Sequence, residues 1–385
     1  MKENIENEGG FSRREFLKTL GLGTGLIILT GGGCLFREEE EKTVGPERDF
    51  PLGKLWPQKD LFPEGWKGLT YFPDGQFSTL YNKDKNKVFA FLAAENYGVM
   101  LQGPTLEKAK QVDVIIRPSG GEAFDAHYAG PGSVNSVGQE ILMFYHGEYQ
   151  YFKVDPKKYP RQGEYHAGIG LSQFKGTDKL GKASFAKLGQ ILSSPYPRPE
   201  QHDPFATGVG QPSVLLDKEG KNLLCFYVEW PLAGSAYIAA ARCPVEKAAS
   251  LDGWRKFDGQ GFNEPGLLGK AAPVIEMKTG WAGMPSVSFN EYLGKYLAVF
   301  NSQDGFYTTT SENGTVWEKP SLILAMEGVT NLPEVGKPFI MYPSLLSERM
   351  NTGRTGKEMS LVYAYTPKHP NYSHSTVSRK VVLGE

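Results

Sequence analysis

Residues 210–214 read Gly-Gln-Pro-Ser-Val, and this short pattern recurs along the chain. The copies are Gly75-Gln76-Phe77-Ser78-Thr79, Gly130-Pro131-Gly132-Ser133-Val134, Gly210-Gln211-Pro212-Ser213-Val214, Gly283-Met284-Pro285-Ser286-Val287 and Met341-Tyr342-Pro343-Ser344-Leu345, of which the first is degenerate. Each copy is followed by a second apolar and aromatic run, so one strand pair occurs five times. A repeat of this kind predicts an all-β chain, folded as a five-bladed β-propeller of four-stranded antiparallel blades.

The outer strands of the predicted blades can be assigned downstream of the copies, where short β-branched or aromatic runs alternate with Gly, Pro, Asn and Asp. These runs are Tyr165 to Phe174, Phe185 to Leu192, Ala236 to Cys243, Trp254 to Phe257, Gly305 to Thr310 and Lys319 to Leu324. A last strand, Ser375 to Leu383, ends the chain. We expect residues near Leu52 to Trp56, or near Leu69 to Phe72, to complete the ring.

The N-terminus predicts export. Ser12-Arg13-Arg14-Glu15-Phe16-Leu17-Lys18 matches the twin-arginine pattern, and an apolar, Gly-rich segment follows from Leu20 to Thr30. That segment is shorter than the about 20 residues that a membrane-spanning helix needs. The pattern implies the twin-arginine export machinery as a partner and a periplasmic or cell-surface location.

Cys34 follows Thr30-Gly31-Gly32-Gly33, which resembles a lipoprotein processing site with Gly31 in place of the usual Leu. Two outcomes are open at this position. Acylation of Cys34 would anchor the protein to a membrane through a lipid, and simple cleavage would release it. We therefore divide the chain into a signal over residues 1–34, a charged linker over 35–60 and a propeller over 61–385.

Composition limits the possible partners. Of the 385 residues 40% are hydrophobic, and the formal net charge is -1. Nucleic-acid binding needs a clustered positive field, so we expect no nucleic-acid partner. The 3 Cys exclude a disulfide scaffold and a Cys-rich zinc module. Cys225 and Cys243 flank a predicted hairpin as two buried thiols or, alternatively, as a disulfide that export would permit.

One turn has a recognisable pattern. Ser311-Glu312-Asn313-Gly314-Thr315-Val316-Trp317 resembles the Asp-box turn of sialidases and related propellers, with Asn in place of the usual Asp. The resemblance implies a structural role, in which a polar residue and Gly form the turn and the Trp packs between strands.

A propeller places its ligand at the mouth of the central channel, beside the starts of the inner strands. Acids, His and aromatic rings gather before the copies and at the ends of the second strands, and they suit a carbohydrate, whose rings stack on aromatic faces. The candidate catalytic residues are Asp125 and Asp203, as base and orienting carboxylate, and Glu148 and Glu229, as alternative acids. The candidate substrate-binding residues are His127, Tyr128, His202, Trp230, Trp281, Asp74 and Gln211.

Over residues 66–385 the strand pattern resembles the five-bladed glycoside hydrolase superfamily that includes arabinanases, xylosidases and levansucrase-like enzymes. The resemblance implies glycoside hydrolysis, with an Asp before the motif Pro of early blades as base and a Glu of the third blade as acid. It also implies a channel that can hold calcium, although no EF-hand-like ligand run is present. The positions before the motif Pro, or their equivalents in the first two copies, hold Gln76, Pro131, Gln211, Met284 and Tyr342, so this chain departs from that catalytic pattern.

Three functional hypotheses remain open. The first is an exported glycoside hydrolase acting on an oligo- or polysaccharide. The second is a non-catalytic lipoprotein that binds a glycan or a protein at the same mouth, and the third is a structural propeller whose mouth is filled by aromatic side chains. No cofactor motif is present, because Gly21-Leu22-Gly23-Thr24-Gly25 lies inside the export signal and follows no strand.

Overall fold

The structure is a computed structural model, in which 61% of the described residues lie in β-strands and almost none in helices. It describes residues 48–50, 52–55, 59–61, 73–83, 86–155, 157, 164–177, 183–199, 206–325, 339–366 and 375–384. The predicted signal with Cys34 lies outside these ranges, as do His202 and Asp203. Within them the helical elements are α1, Tyr151–Val154, and a 3-10 turn, Val245–Lys247. In the same ranges no helix is long and apolar enough to cross a membrane.

The strands follow one another with short connections. The first are β1 Arg48–Phe50, β2 Gly53–Leu55, β3 Lys59–Asp60, β4 Ser78–Asn82, β5 Lys87–Ala94, β6 Tyr97–Gly103 and β7 Lys110–Ile116. The next are β8 Tyr128–Val137, β9 Glu140–Gln150, β10 Tyr165–Thr177, β11 Ala183–Leu192, β12 Ala206–Leu216, β13 Asn222–Trp230, β14 Tyr237–Pro244, β15 Arg255–Phe257, β16 Phe262–Pro265 and β17 Pro273–Ile275. The last are β18 Gly283–Asn290, β19 Lys295–Ser302, β20 Gly305–Ser311, β21 Ser321–Ala325, β22 Phe339–Leu346, β23 Arg354–Thr355, β24 Glu358–Thr366 and β25 Ser375–Leu383.

Within each sheet, most strands that are consecutive in the chain pair antiparallel. β4 to β7 form one four-stranded sheet, and β18 to β21 form another, in which β18 also pairs in parallel with β23. The ten-stranded sheet contains two antiparallel groups, β8 to β11 and β12 to β16, with β17 beside β14. Three parallel pairs between β10 and β12, from Tyr165–Ala206 to Ala167–Gly208, join the two groups. The outer strands predicted from the sequence are therefore present as β10, β11, β14, β15, β20 and β21.

The N-terminal strands complete the C-terminal sheet. Its order is β1-β2-β25-β24-β22, with β3 also paired to β25. Gly53 lies opposite Leu383, and Leu55 opposite Val381, so residues of the predicted closing segment near Leu52 to Trp56 pair with the last strand. The alternative segment, Leu69 to Phe72, lies outside the described residues. Three strands thus lie inside the segment interpreted as a linker over 35–60.

The repeated serines link the first strands of the groups in a closed cycle. In each step a serine hydroxyl oxygen accepts a hydrogen bond from a backbone N–H of the next copy. The donors are Val134 to Ser78, Val214 to Ser133, Val287 to Ser213, Leu345 to Ser286 and Phe77 to Ser344, at 2.7 to 2.9 Å. The last bond returns to the strand pair in which the cycle began. Residues of all five copies also line one narrow cavity, among them Gln76, Gly132, Pro212, Pro285 and Leu345.

Hydrophobic residues are buried on both faces of the inner strands. Along β13, Leu223 and Tyr227 pack in one core cluster, whereas Leu224 and Phe226 pack in another. This explains the near-continuous apolar run in the sequence, because both faces of the strand lie against other sheets. Cys225 is buried in the same strand, and both it and Cys243 are free thiols. The register places Cys225 opposite Ala241 and not opposite Cys243, so the alternative of a disulfide is not adopted.

The Asp-box-like segment forms the predicted turn. Asn313 Oδ1 accepts hydrogen bonds from the backbone N–H groups of Thr315 and Val316, both at 2.9 Å. Gly314 has φ 80°, a left-handed conformation that favours glycine. The Trp317 indole N–H donates to the Gly314 carbonyl at 3.1 Å, and its ring meets the Phe226 ring edge-on at 5.6 Å. The segment therefore packs one strand group against another, as expected from the sequence.

Candidate functional site

The residue before the motif Pro has an unusual backbone conformation in three copies. Gln211, Met284 and Tyr342 have φ of 55°, 52° and 57°, and the strand register shifts at each of these positions. Non-glycine residues rarely adopt such angles, and bulges of this kind redirect a side chain. Here the redirected groups bind the neighbouring copy: Gln211 Oε1 accepts from the Met284 backbone N–H at 3.1 Å. The Gln76 side-chain amide donates to the Pro285 carbonyl.

These contacts define what the motif position does in this chain. Tyr342 donates its hydroxyl proton to Asp74 Oδ1 at 3.0 Å, and both residues are buried. The side chains of Gln76 and Gln211 are likewise buried, at 6% and 7% exposure. The predicted ligand-binding residue Gln211 therefore contacts Met284 of the next copy. The position that holds an acid in the resembled enzymes forms structural contacts here.

Glu148 lies at the end of β9 with both carboxyl oxygens bonded. His146 Nε2 lies 2.8 Å from its Oε1, and the Gln150 amide donates to its Oε2 at 2.7 Å. His146, Glu148 and Gln150 alternate along one strand, so their side chains share a face. Glu148 is fully buried, and these two contacts hold both of its carboxyl oxygens.

Aromatic rings surround His146. The Tyr128, Tyr165 and Trp230 rings lie 5.5, 6.1 and 6.1 Å from the imidazole. Tyr128 also donates to the Asp74 carbonyl at 2.8 Å, which connects this group to the first copy. We call His146, Glu148, Gln150, Tyr128, Tyr165 and Trp230 the entrance cluster. Trp230 is its partly exposed member, whereas the other five are buried.

Glu229 occupies the corresponding end of β13 in a different environment. Its carboxyl is buried, at 2% exposure, and the nearest cation is Lys256, whose Nζ lies 3.9 Å from Oε2. Burial raises the pKa of Glu229 to about 7, and the positive charge of Lys256 opposes that rise. The charge of Glu229 in turn helps to raise the pKa values of Tyr196, Tyr227 and Tyr237, after the larger effect of burial. We call these five residues the Glu229 pocket.

The Glu229 pocket adjoins the entrance cluster across β12. Glu229 lies opposite Val209 in the strand register, and Gly208 lies opposite Trp230. A Cβ on the next residue, Gly210, would come within 2.2 Å of His146 Nδ1 and within 2.9 Å of the Trp230 ring. Glycine at position 210 therefore permits the close approach of the two groups. Tyr196, from the Glu229 pocket, donates its hydroxyl to the Trp230 carbonyl at 2.7 Å.

Asp125 lies on the other face of β9. Its Oδ2 pairs with Lys187 and accepts the Tyr145 hydroxyl at 3.1 Å. A Cβ on Gly147 would lie 2.6 Å from the Asp125 Cβ. Tyr145 and Gly147 face away from His146 and Glu148, because successive side chains of a strand alternate. The structure therefore separates Asp125 from Glu148 and satisfies its charge with Lys187.

His127 shares the face of Tyr145 and Gly147. Its Nδ1 accepts the Gln150 backbone N–H at 3.0 Å, and its ring meets that of Tyr149 at 5.2 Å. Burial and the nearby Lys153 lower the pKa of His127, so the neutral imidazole is favoured. Trp281 is partly exposed and packs against Gly283, where a Cβ would approach its ring to 3.0 Å.

The residues of the axis do not fit a calcium ion. Within the described ranges no group of three His, Cys, Asp or Glu side chains is placed to hold a metal. The axial cavity presents serine hydroxyls, backbone groups and the Gln76 amide, and the hydroxyls already accept hydrogen bonds from the next copy. Calcium is held by several oxygens, commonly including carboxylates. The chemical roles proposed for this chain are therefore assigned to its own side chains.

Several residues of the site were not among the sequence candidates. His146 and Gln150 flank Glu148 at spacing two, and this alternation of polar residues at a strand end is the signal that could have identified them. Lys187, Lys256 and Tyr342 had no such signal, because each reaches its carboxyl partner from another strand. Lys256 in particular reads as an ordinary surface residue in the sequence.

No family model and no curated protein matches the sequence. Solved structures do match the fold. They include the catalytic domain of the family 62 α-L-arabinofuranosidase of Coprinopsis cinerea, with a TM-score of 0.52 and 12% identity over 86% of this chain and 98% of that chain. The α-L-arabinofuranosidase of Lactobacillus brevis has a TM-score of 0.51 and 11% identity over 80% and 90%. Zg3597, a family 117 glycoside hydrolase of Zobellia galactanivorans, has a TM-score of 0.51 and 10% identity over 86% and 91%.

These likenesses concern the fold. Their sequence identities are too low to transfer activity or residue roles. The chain has the β-propeller fold of these glycoside hydrolases.

Proposed function

We propose that this chain is an exported, carbohydrate-active protein of the glycoside hydrolase type, built as five four-stranded blades around one axis. The cycle of five serine hydrogen bonds supports the blade count, because it joins one inner strand of each group and returns to its start. The sugar binds beside Trp230, where the entrance cluster and the Glu229 pocket meet. We also propose that the protein is exported by the twin-arginine route and carries a lipid on Cys34. If the lipid anchors the protein, the Cys34→Ser variant should be absent from the membrane fraction.

One observation carries the hydrolytic proposal. Glu148 and Glu229 lie near the ends of the second strands of two adjacent groups, and their surroundings differ. His146 and Gln150 hold both carboxyl oxygens of Glu148, whereas burial raises the pKa of Glu229 to about 7. Glycoside hydrolysis needs one carboxylic acid to protonate the leaving oxygen and one carboxylate as base or nucleophile. Pairs of carboxyl groups separated in this way are the usual sign of such roles.

The roles follow from these environments. Glu229, neutral below about pH 7, donates its proton to the glycosidic oxygen. Glu148 acts from the carboxylate form, with His146 and Gln150 holding both of its oxygens in place. Trp230 offers a partly exposed ring for a sugar face to stack on. Asp125 and His127 stabilise the other face of β9, and Asp203 and His202 remain candidates from the sequence.

The test is turnover of aryl glycosides and plant glycans by the purified protein and its Glu148→Gln and Glu229→Gln variants. Arabinosides are the first substrates to try, since two of the similar folds are named as α-L-arabinofuranosidases. We expect each variant to lose about a hundredfold or more in rate, which is the usual contribution of a general acid or base. Glu219→Gln, an exposed carboxyl in the turn before β13, is the control. Unchanged rates in both site variants would remove the assignment.

A non-catalytic glycan-binding propeller is the second candidate. The burial of both Glu148 and Glu229 favours it, as does the use of the motif positions for contacts between copies. This candidate predicts that a glycan raises the melting temperature while no product forms. Product formation by the unmodified protein that is lost in Glu229→Gln would exclude it.

A further inference from the structure

Lys256 is a buried cation that the proposed reaction does not use. It lies on β15, and its side chain has no exposed surface. Its ammonium group donates to the carbonyls of Ser193 and Gly269, the latter at 2.9 Å. Taking an ammonium group out of water costs several kcal/mol unless it is paired and hydrogen-bonded. The burial of Lys256 therefore requires a compensating interaction with the third N–H of the ammonium group.

Two polar atoms near Lys256 are buried without a hydrogen-bond partner among the described residues. They are Glu229 Oε2 and the Tyr227 hydroxyl oxygen. Lys256 Nζ lies 3.9 Å from Glu229 Oε2, which is too long for a direct hydrogen bond, and 5.9 Å from the centre of the Tyr227 ring. Buried polar atoms in proteins are nearly always bonded to protein or to ordered water. Glu229 Oε2 and the Tyr227 hydroxyl thus have no hydrogen-bond partner among the described residues, although they share the Glu229 pocket with the ammonium group of Lys256.

We propose that Lys256 Nζ, Glu229 Oε2 and the Tyr227 hydroxyl bind one ordered water molecule, and that Lys256 is a positioning residue for Glu229. A buried water typically makes about three hydrogen bonds to polar groups that lack other partners. The water accepts a hydrogen bond from the ammonium group and donates one to the carboxyl oxygen. Its third hydrogen bond joins it to the Tyr227 hydroxyl, which can donate or accept. The positioning role rests on the proposed function, whereas the water site and the coupling of the two charges do not.

The electrostatics of the pocket give the coupling its direction. Burial raises the pKa of Glu229, and Lys256 is the group that opposes the rise. The other titratable groups facing Glu229 are Tyr196, Tyr227 and Tyr237, and each of them has a raised pKa and is neutral near pH 7. Burial lowers the pKa of Lys256 itself, which Glu229 and Glu264 oppose. Without the ammonium group, the effect of burial on the pKa of Glu229 is unopposed. The Glu229 carboxyl therefore keeps its proton to higher pH.

Infrared spectroscopy of the full protein tests the coupling. The C=O band of a protonated carboxyl, assigned to Glu229 by its absence from Glu229→Gln, is followed as the pH is raised. We expect its midpoint in Lys256→Met to lie about 1 to 3 pH units above that of the unmodified protein, the usual effect of an opposite charge at this range. Lys256→Gln is a second variant, because its amide retains a donor for the Ser193 or Gly269 carbonyl and supports folding. An unshifted midpoint in a folded variant would overturn the coupling.

A second measurement tests the water. In Tyr227→Phe the water loses one partner, so the Glu229 band shifts in frequency while the titration midpoint moves less than in Lys256→Met. A high-resolution crystal structure of the unmodified protein should show a water within hydrogen-bonding distance of Glu229 Oε2 and Lys256 Nζ. Direct contact between these two atoms would contradict the bridging site. Neither measurement involves a sugar, so each stands apart from the hydrolytic assignment.

Discussion

Glu148 and Glu229 each lie near the end of the second strand of an antiparallel group, but their neighbours differ. Glu148 has two hydrogen-bond donors on its own strand, His146 and Gln150. Lys256, on a strand two positions away in the sheet, places its ammonium nitrogen 3.9 Å from Glu229 Oε2. Among the described residues, none donates a hydrogen bond to that oxygen. Because donors, cations and burial together set the charge of a buried acid, the different partners give the two carboxyls different electrostatic surroundings.

Glu229 should therefore make stability depend on pH. Its folded pKa of about 7 is above the ordinary value of 4.5 for a glutamate carboxyl, so the folded protein binds the proton more tightly than the unfolded chain. The stability that this proton contributes is full at low pH and is lost as the pH rises through about 7. The loss for an isolated group would be on the order of 3 kcal/mol. Glu229→Gln should flatten the fall in unfolding free energy between pH 5 and 8, measured by urea titration.

The control is Glu219→Gln, which replaces an exposed carboxyl of the same hairpin. It should keep the pH profile of the unmodified protein. A Glu229→Gln protein with the same slope between pH 5 and 8 would show that this carboxyl is already ionised throughout.

The serine contacts belong to the scale of the strand. The first strand of each group donates a backbone N–H to the serine of the neighbouring copy. This N–H is available because the edge of the strand is not paired with another strand at that position. The bond therefore fixes the spacing of strands that do not pair in a sheet. Ser133 illustrates it: the side chain is 1% exposed and its oxygen accepts from the Val214 N–H at 2.8 Å.

Ser133→Ala should destabilise the protein by about 1 to 3 kcal/mol. The reason is that the Val214 N–H would remain buried without an acceptor. Ser136→Ala is the matched control, since Ser136 is exposed on the same strand β8 and its loss should change stability little. Equal unfolding free energies for the two variants in urea would argue against a structural role for the serine cycle.

At the scale of the whole molecule, the two ends of the described chain share one sheet. β25 pairs with β24 on one side and with β2 and β3 on the other. The C-terminal strand is therefore internal to its sheet, and its loss would expose two rows of backbone groups. A closed ring would lose its closure at the same point.

Deletion of residues 376–385 should therefore abolish cooperative unfolding of the domain. A strand frayed from an open edge would cost only local structure, whereas loss of an internal strand separates both of its neighbours. Calorimetry of the truncated protein measures this. A control truncation of residues 1–34, the predicted signal, should retain the melting temperature. A C-terminal truncation that also retained it would contradict a closed ring.

The repeat itself was sufficient to predict the strands that carry the fold. The apolar runs of β9, β13 and β19 and the terminal strand Ser375–Leu383 are local patterns, so their positions could be read directly. The outer strands β6 and β7 of the first group were not predicted, nor were the short strands β16, β17 and β23. Strands of this kind form because a neighbouring strand already offers its edge, which is a tertiary effect.

The ends of the second strands and the starts of the inner strands could be located from the sequence, and the ligand site at this end stays a prediction. The pairing of the charged groups could not be predicted. Asp125 and Glu148 both lie near this end, but alternation along β9 places them on opposite faces, and Lys187 neutralises the first. The partners Lys187 and Lys256 come from other strands, so only the register could bring them to their acids.

The sequence by itself determined an all-β repeat and the five copies of one motif, because strand propensity and turn chemistry are local properties of the chain. It also determined which residues occupy the motif position, and hence that no acid stands there. Only the tertiary structure decided that Glu229 shares a buried pocket with Lys256 while Glu148 is bound by His146 and Gln150. Ionisation depends on burial and on distances between charges, and those quantities exist only when distant strands are packed together.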